Sequence, residues 1–207
     1  MREEEMRDEE LIGALDDRWQ EHFADGMARR VCEAGAVGVL YRIAAGLPGE
    51  DKDSGESGGT GKTGLSRGIG ALPNPVRHKI RFRAAYVLER LYFTAPEHFM
   101  PHAETFCRRD FPACGDPSAR RHFAKIMADL LRRVHPDPDV LERIAGAAAE
   151  WAVDPAAKVA VRVWAVEVLK RCRGRVAWVD EIWDDLLETQ AQTASPGIES
   201  RLRRSWR

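Results

Sequence analysis

Four times in this chain a polar residue is followed by proline at nearly even intervals: Asn74-Pro75, Asp116-Pro117, Asp154-Pro155 and Ser195-Pro196. The prolines stand 42, 38 and 41 residues apart. Such a pair is a helix-start signal. The polar side chain can accept from an unpaired N–H of the first turn, and proline lacks only an N–H that would have no helical partner there. Each pair opens a segment that mixes arginine with apolar residues. Aligned, the four segments bring Arg83, Arg121, Arg162 and Arg201 into register at intervals of 38, 41 and 39. Between them lie three acidic stretches, 97–111, 137–154 and 176–190. Two helices per roughly 40 residues is the period of a helical solenoid, whose units bury their apolar faces against one another.

Hydrophobic periodicity agrees. Val179, Ile182, Trp183, Leu186 and Leu187 fall on one helical face, with Asp180, Glu181, Asp184, Asp185 and Glu188 on the other. Val140, Leu141, Ile144, Ala145, Ala148 and Trp151 repeat the pattern, as do Phe123, Ile126, Met127, Leu130, Leu131 and Val134. Near the start, Leu11, Ile12, Leu15, Trp19 and Phe23 predict one helix, and residues 31–45 predict a further apolar helix containing two glycines. Val159, Val161 and Val163 object, because alternating β-branched residues suit a strand. Followed by Trp164, Val168, Leu169 and Cys172, they equally suit a helix buried on several sides, and only their place in the repeat favours the helix.

The segments RFRAAYVLERLYFTAPEHFMPH (81–102), DPSARRHFAKIMADLLRR (116–133), DPAAKVAVRVWAVEVLKR (154–171) and SPGIESRLRR (195–204) carry a resemblance. Together they resemble a HEAT-like (ARM-type) family of bacterial α-solenoid proteins, closely from Arg77 onward and loosely over residues 1–47. The resemblance implies a stacked-helix scaffold without known catalysis. HEAT units often pair an aspartate at the mid-repeat turn with a basic residue in the second helix. Asp116 with Arg121, and Asp154 with Lys158 or Arg162, are similar to that pair, whereas Asn74 and Ser195 depart from it.

The stretch SGESGGTGKTGLSRG (54–68) contains two catalytic look-alikes. A phosphate-binding loop needs Gly-x-x-x-x-Gly-Lys-[Ser/Thr]. Gly61, Lys62 and Thr63 fit, but the first glycine position holds Glu56, whose carboxylate repels phosphate. Gly64, Gly68, Gly70, Pro73 and Pro75 follow where a helix should receive the anion. The Val176–Glu181 run mimics a Walker B strand, yet it opens an amphipathic helix. Gly64-Leu-Ser66-Arg-Gly68 matches a hydrolase elbow, for which no strand-rich sheet is in prospect. Residues 46–70 hold nine of the 17 glycines. Such a composition buries too little to pack, so residues 47–76 read as a flexible insertion.

Other chemistry is sparse. His98 and His102 are four apart, but Pro101 interrupts the helix that would present both, and no acid completes an HExxH site. The tryptophans Trp151, Trp164 and Trp183 sit on or beside apolar stripes, while Trp178 lies off the stripe of its helix. No cofactor and no metal are expected.

Charge carries the functional expectation. Net charge is -1, so any preference for a charged partner must come from segregation. The four proline-initiated segments (77–92, 118–135, 157–175, 198–207) hold 20 Lys or Arg against 4 acids, and the intervening stretches hold 13 acids against 3 bases. In a two-helix solenoid each helix type lines its own surface. This predicts a basic inner groove of Arg83, Arg121, Lys125, Arg132, Arg162, Lys170, Arg173 and Arg201. Mutual neutralisation of the two layers by salt bridges is the competing account.

The reading is therefore all-α: a single ARM/HEAT-like right-handed α-solenoid over 1–207, of about four to five helix pairs, interrupted by the insertion at 47–76. Its expected function is a non-catalytic scaffold binding an acidic peptide or protein. The alternative is nucleic-acid binding of the HEAT-like DNA glycosylase kind, and nucleotide hydrolysis from the glycine-rich stretch ranks last. No run of about 18 apolar residues is present to span a membrane. An acidic N-terminus without a signal core, and the unpaired spacing of Cys32, Cys107, Cys114 and Cys172, place the expectation in the cytoplasm.

Overall fold

The computed structural model describes residues 8–18, 20–46 and 72–206. The two catalytic look-alikes and most of the expected insertion, residues 47–71, lie outside the described residues. Among the described residues every regular element is helical and none is a strand. Residues 1–100 and 101–207 form two compact units.

In the first unit, α1 (Asp8–Asp16), α2 (Phe23–Glu33) and α3 (Val37–Ala45) all pack against one long helix, α4 (Asn74–Thr94). The helix begins at Asn74 with Pro75 in its first turn, so residues 74–76 belong to α4 rather than to the insertion. It is buried on several sides, through Ile80, Ala84, Ala85, Val87, Leu88, Leu91 and Tyr92. Its end is chemical: Ala95 precedes Pro96, which disfavours helical geometry at that alanine, and Ala95 sits at φ -145°, ψ 64°. The single helix expected to run through Leu11 and Phe23 is two, broken at His22, whose φ is 59°. Likewise residues 31–45 divide between α2 and α3 at a turn containing Gly35, whose φ of 63° is left-handed.

The second unit begins with short helical turns over 101–110, where Pro101 prevents the continuous acidic helix expected there; the last of them, Phe106–Asp110, is π-helical. Then follow α5 (Pro117–Leu130), α6 (Pro138–Val153), α7 (Val159–Cys172), α8 (Ala177–Glu181), α9 (Trp183–Gln192) and α10 (Pro196–Arg201), which runs on as a π turn over Leu202–Trp206. The valine-rich stretch is helical because α7 packs against both α5 and α6, burying Val161, Val166, Val168 and Leu169. The helix expected over 176–190 is divided at Ile182 into α8 and α9. Aromatic edges fill the start of this unit: Phe106 meets Phe123 at 5.0 Å and Phe111 meets Trp151 at 4.7 Å between ring centroids.

Two of the proline pairs cap as expected. Asp116 accepts from the Ser118 N–H at 2.8 Å, and Ser195 Oγ from the Ile198 N–H at 3.5 Å. The third does not start a helix. Asp154 closes α6, its carboxylate accepts from the Ala156 N–H, and α7 starts only at Val159.

Side-chain hydrogen bonds between elements of this unit span 23 to 39 residues of sequence separation. Trp178 donates to Glu142 (36 residues away) and Gln190 to the Ala152 carbonyl (38). Lys170 donates to the Ser205 carbonyl (35) and Trp206 to Glu167 (39). Glu142 and Ala152 on α6 meet Trp178 and Gln190 in the same order, so α6 runs parallel to α8–α9, whereas Glu167 meets both Arg201 and Trp206, and Lys170 meets Ser205.

Candidate functional site

The charge segregation read from composition becomes spatial in the second unit. Basic residues concentrate on α5, α7, α10 and the turns beside them, which neighbour one another in that order. Acidic residues concentrate on α6, α8 and α9. What each cation does there decides whether the layer can face a partner.

Most of the predicted groove is spent internally. Arg83, in the first unit, is only 8% exposed. Its Nη1 donates to the carbonyls of Leu15 (2.7 Å) and Asp17 (2.5 Å), and its guanidinium lies over Phe23. Helix α1 has no basic residue in its last turn, so Arg83 and Lys79, both on α4, supply the donors that its terminal carbonyls lack. Arg83 is therefore a buried cap and not a groove residue. Arg162 donates to Gln190 Oε1 (3.0 Å) and Thr193 Oγ1 (2.6 Å), tying α7 to the acidic layer. Lys170 donates to the Ser205 carbonyl. Arg173 donates to Asp180 (3.0 Å) and lies over Trp183. The Asp180 carboxyl is held below its ordinary range, first by the Gly174 N–H and then by Arg173. Arg132 is exposed and has a loose contact with Asp129 at 3.5 Å.

The remaining candidates meet at Trp164, on α7. This indole is half-buried, with Lys125 Nζ (from α5) 5.8 Å and Arg201 Cζ (from α10) 5.4 Å from the ring centroid. Cations over an indole are held by its quadrupole, an attraction of about 0.5–1 kcal/mol at exposed sites. Beneath them Glu167, also on α7, is buried and accepts from Arg201 Nη1 (2.8 Å) and from Trp206 Nε1 (2.9 Å). Arg121, one turn before Lys125, is exposed and makes no ion pair or hydrogen bond with its side chain among the described residues.

The aspartate–basic pairing implied by the HEAT resemblance takes a different form. Asp116 caps α5, while Asp154 pairs at 3.6 Å with Arg120 rather than with Lys158 or Arg162. Arg120 also lies over Trp151 and donates to the Cys114 carbonyl, linking the start of α5 to the end of α6.

Sequence reasoning left Arg203 and Arg204 out of the groove and named Lys158 only as a partner for Asp154; all three are exposed with no ion pair among the described residues. Alignment on Arg201 drew attention to the residue that is paired and away from its exposed neighbours. It overlooked Glu167 as well, although a lone acid between Val166 and Val168 in a basic segment is a signal of a buried charge needing a partner.

Among the described residues the other constellations contribute no convergent set. Residues 177–181 are helical, and Trp178, set apart for lying off its stripe, donates to Glu142 at 2.5 Å. The buried Glu167 beside Trp206 is committed to two donors, Arg201 and Trp206 itself. Among the described residues no group of three or more His, Cys, Asp or Glu is arranged to hold a metal ion, His98 and His102 included. No helix of the described residues is long and apolar enough to cross a membrane. No family model, curated protein or solved structure matches this chain.

Proposed function

We propose that this chain is a non-catalytic helical-repeat scaffold that binds an acidic peptide or protein on the basic layer of α5, α7 and α10. The observation that carries the reading is the set Arg121, Lys158, Arg203 and Arg204. All four are exposed, none has an ion-pair partner among the described residues, and all sit on or beside the helices opposite the acidic layer. Cations neutralised within the fold would serve packing alone; these four leave donors for carboxylates. The parallel run of α6 beside α8–α9 supports a right-handed ARM/HEAT-like solenoid as the framework. The groove is smaller than charge counting suggests, because Arg83, Arg162, Lys170, Arg173 and Arg201 are committed to internal partners.

The test is fluorescence anisotropy of a labelled oligoglutamate peptide and of a labelled DNA duplex, each titrated with the protein across a salt series. Saturable peptide binding is expected, weakening with salt and falling at least about fivefold in the Arg121→Gln/Arg203→Gln/Arg204→Gln variant. Duplex binding much tighter than peptide binding, with the steep salt slope of counterion release, would turn the reading to nucleic acid. Absence of both at low salt would sink it.

A further inference from the structure

The acidic layer carries its own unsatisfied face. Glu181, Asp184, Asp185 and Glu188 are all exposed, and none is in an ion pair among the described residues. On α9, Asp184, Asp185 and Glu188 lie within a 100° arc, opposite the buried Trp183, Leu186, Leu187 and Gln190, and Glu181 continues the row at the end of α8. The row runs over seven residue steps, roughly 10 Å of helix. Arg121, Lys158, Arg203 and Arg204 are exposed on the other layer of the same unit, where Glu199 is the one exposed acid on α10. The two sets are opposite in sign, and the chain as a whole is almost neutral, at -1. Long-range repulsion between copies is therefore weak.

From this we infer that the acidic partner of the basic layer is the acidic row of a second copy of this chain. The deduction rests on the reading above and names its partner. The two faces lie on different helices, so the contact is heterologous: the basic layer of one copy meets the acidic row of the next. Each added copy leaves one face of each kind unused, and growth is open-ended unless the rotation closes a ring. Exposed pairs contribute little each, so association depends on ionic strength. It strengthens where the Debye length is about 30 Å, at about 0.01 M salt, and fades where it is about 3 Å, at about 1 M.

Analytical ultracentrifugation of the full chain tests this with two neutralising variants, Arg121→Gln/Arg203→Gln/Arg204→Gln and Asp184→Asn/Asp185→Asn/Glu188→Gln. All six side chains are exposed with no ion pair, and far-UV circular dichroism verifies that the fold is kept. The unaltered chain is expected to gain mass with concentration at low salt and to return to a single copy at high salt. Each variant alone should remain a single copy. Their equimolar mixture should give a two-copy species and nothing larger, because each member retains the face the other lacks. A chain that stays a single copy at low salt and about 1 mM overturns the inference, since four exposed pairs of up to about 1 kcal/mol each correspond to a dissociation constant near that concentration. So does association of the unaltered chain without recovery in the mixture. The oligoglutamate titration separates the two ideas. Peptide binding by a chain that never self-associates overturns only the second-copy partner, whereas no peptide binding and no association overturn both.

Discussion

Glu167 is the residue whose replacement most directly tests how the second unit is held closed. Its side chain is 7% exposed and accepts from Arg201 Nη1 at 2.8 Å and Trp206 Nε1 at 2.9 Å. Trp206 is itself 2% exposed, and its carbonyl accepts from Trp183 Nε1, so one carboxylate fastens α7 to the last described segment. Glu167→Ala strands the indole N–H in the interior, a cost of about 1–3 kcal/mol. It also removes buried methylene surface, about 0.8 kcal/mol for each CH₂. The lost bond to Arg201 adds less than a buried ion pair would. The Arg201 side chain is 38% exposed and recovers water, so about 0.5–1 kcal/mol is appropriate. Against these stands relief from desolvating the carboxylate, which offsets part of the loss. The net expectation is about 2–4 kcal/mol for Glu167→Ala and about 1 kcal/mol for Glu167→Gln, which keeps the volume and one acceptor. Urea unfolding followed by tryptophan fluorescence reads this unit, because five of the six tryptophans lie in 101–207. A double-mutant cycle of Glu167→Gln with Trp206→Phe isolates the indole bond, with an expected coupling of about 1 kcal/mol. A loss below about 0.5 kcal/mol for Glu167→Ala, or additivity in the cycle, would refute the claim that this carboxylate closes the unit.

Three further outcomes are expected. Asp180 has a lowered folded pKa, so the stability it contributes is present above the ordinary carboxylate value and is lost as pH falls through the lowered one. Comparing melting temperature against pH for the unaltered chain and Asp180→Asn should show the two curves converging in acid, and a gap that widens there would contradict the assignment. Burial pushes the Cys107 and Cys172 thiols up to about 12, so both should resist iodoacetamide near pH 8 in the folded chain and react once urea is added. Mass spectrometry finding either one alkylated as fast as in urea would disprove that burial. Gly46 sits at φ 70°, and an added Cβ would lie 3.1 Å from Arg81 Cζ. Gly46→Ala should therefore destabilise the chain by about 1 kcal/mol or more, read as a lowered thermal midpoint, and an unchanged midpoint would mean the turn relaxes freely.

The helical class and several helix starts were legible in the residues because their causes are local. Asp116 and Ser195 cap the turns that follow them, Pro96 ends α4, and apolar spacing marks the buried faces of α5, α6 and α9. Where local signals were weak or conflicting, packing decided. The valines of α7 form a helix because α5 and α6 enclose them, and His22 breaks a pattern that apolar spacing alone would have continued. The fate of the arginines lay beyond any local signal. Arg83 finds its carbonyls 66 and 68 residues away, Arg162 its partners 28 and 31 residues away, and Arg201 its carboxylate 34 residues away. Sequence alone determined how many cations this chain carries and on which helices they ride. Only the tertiary structure decided which are consumed, because a guanidinium bonds to whatever acceptors folding brings within 3 Å. Arg121, Lys158, Arg203 and Arg204 stay exposed because, among the described residues, folding brings no carboxylate within ion-pair distance of them.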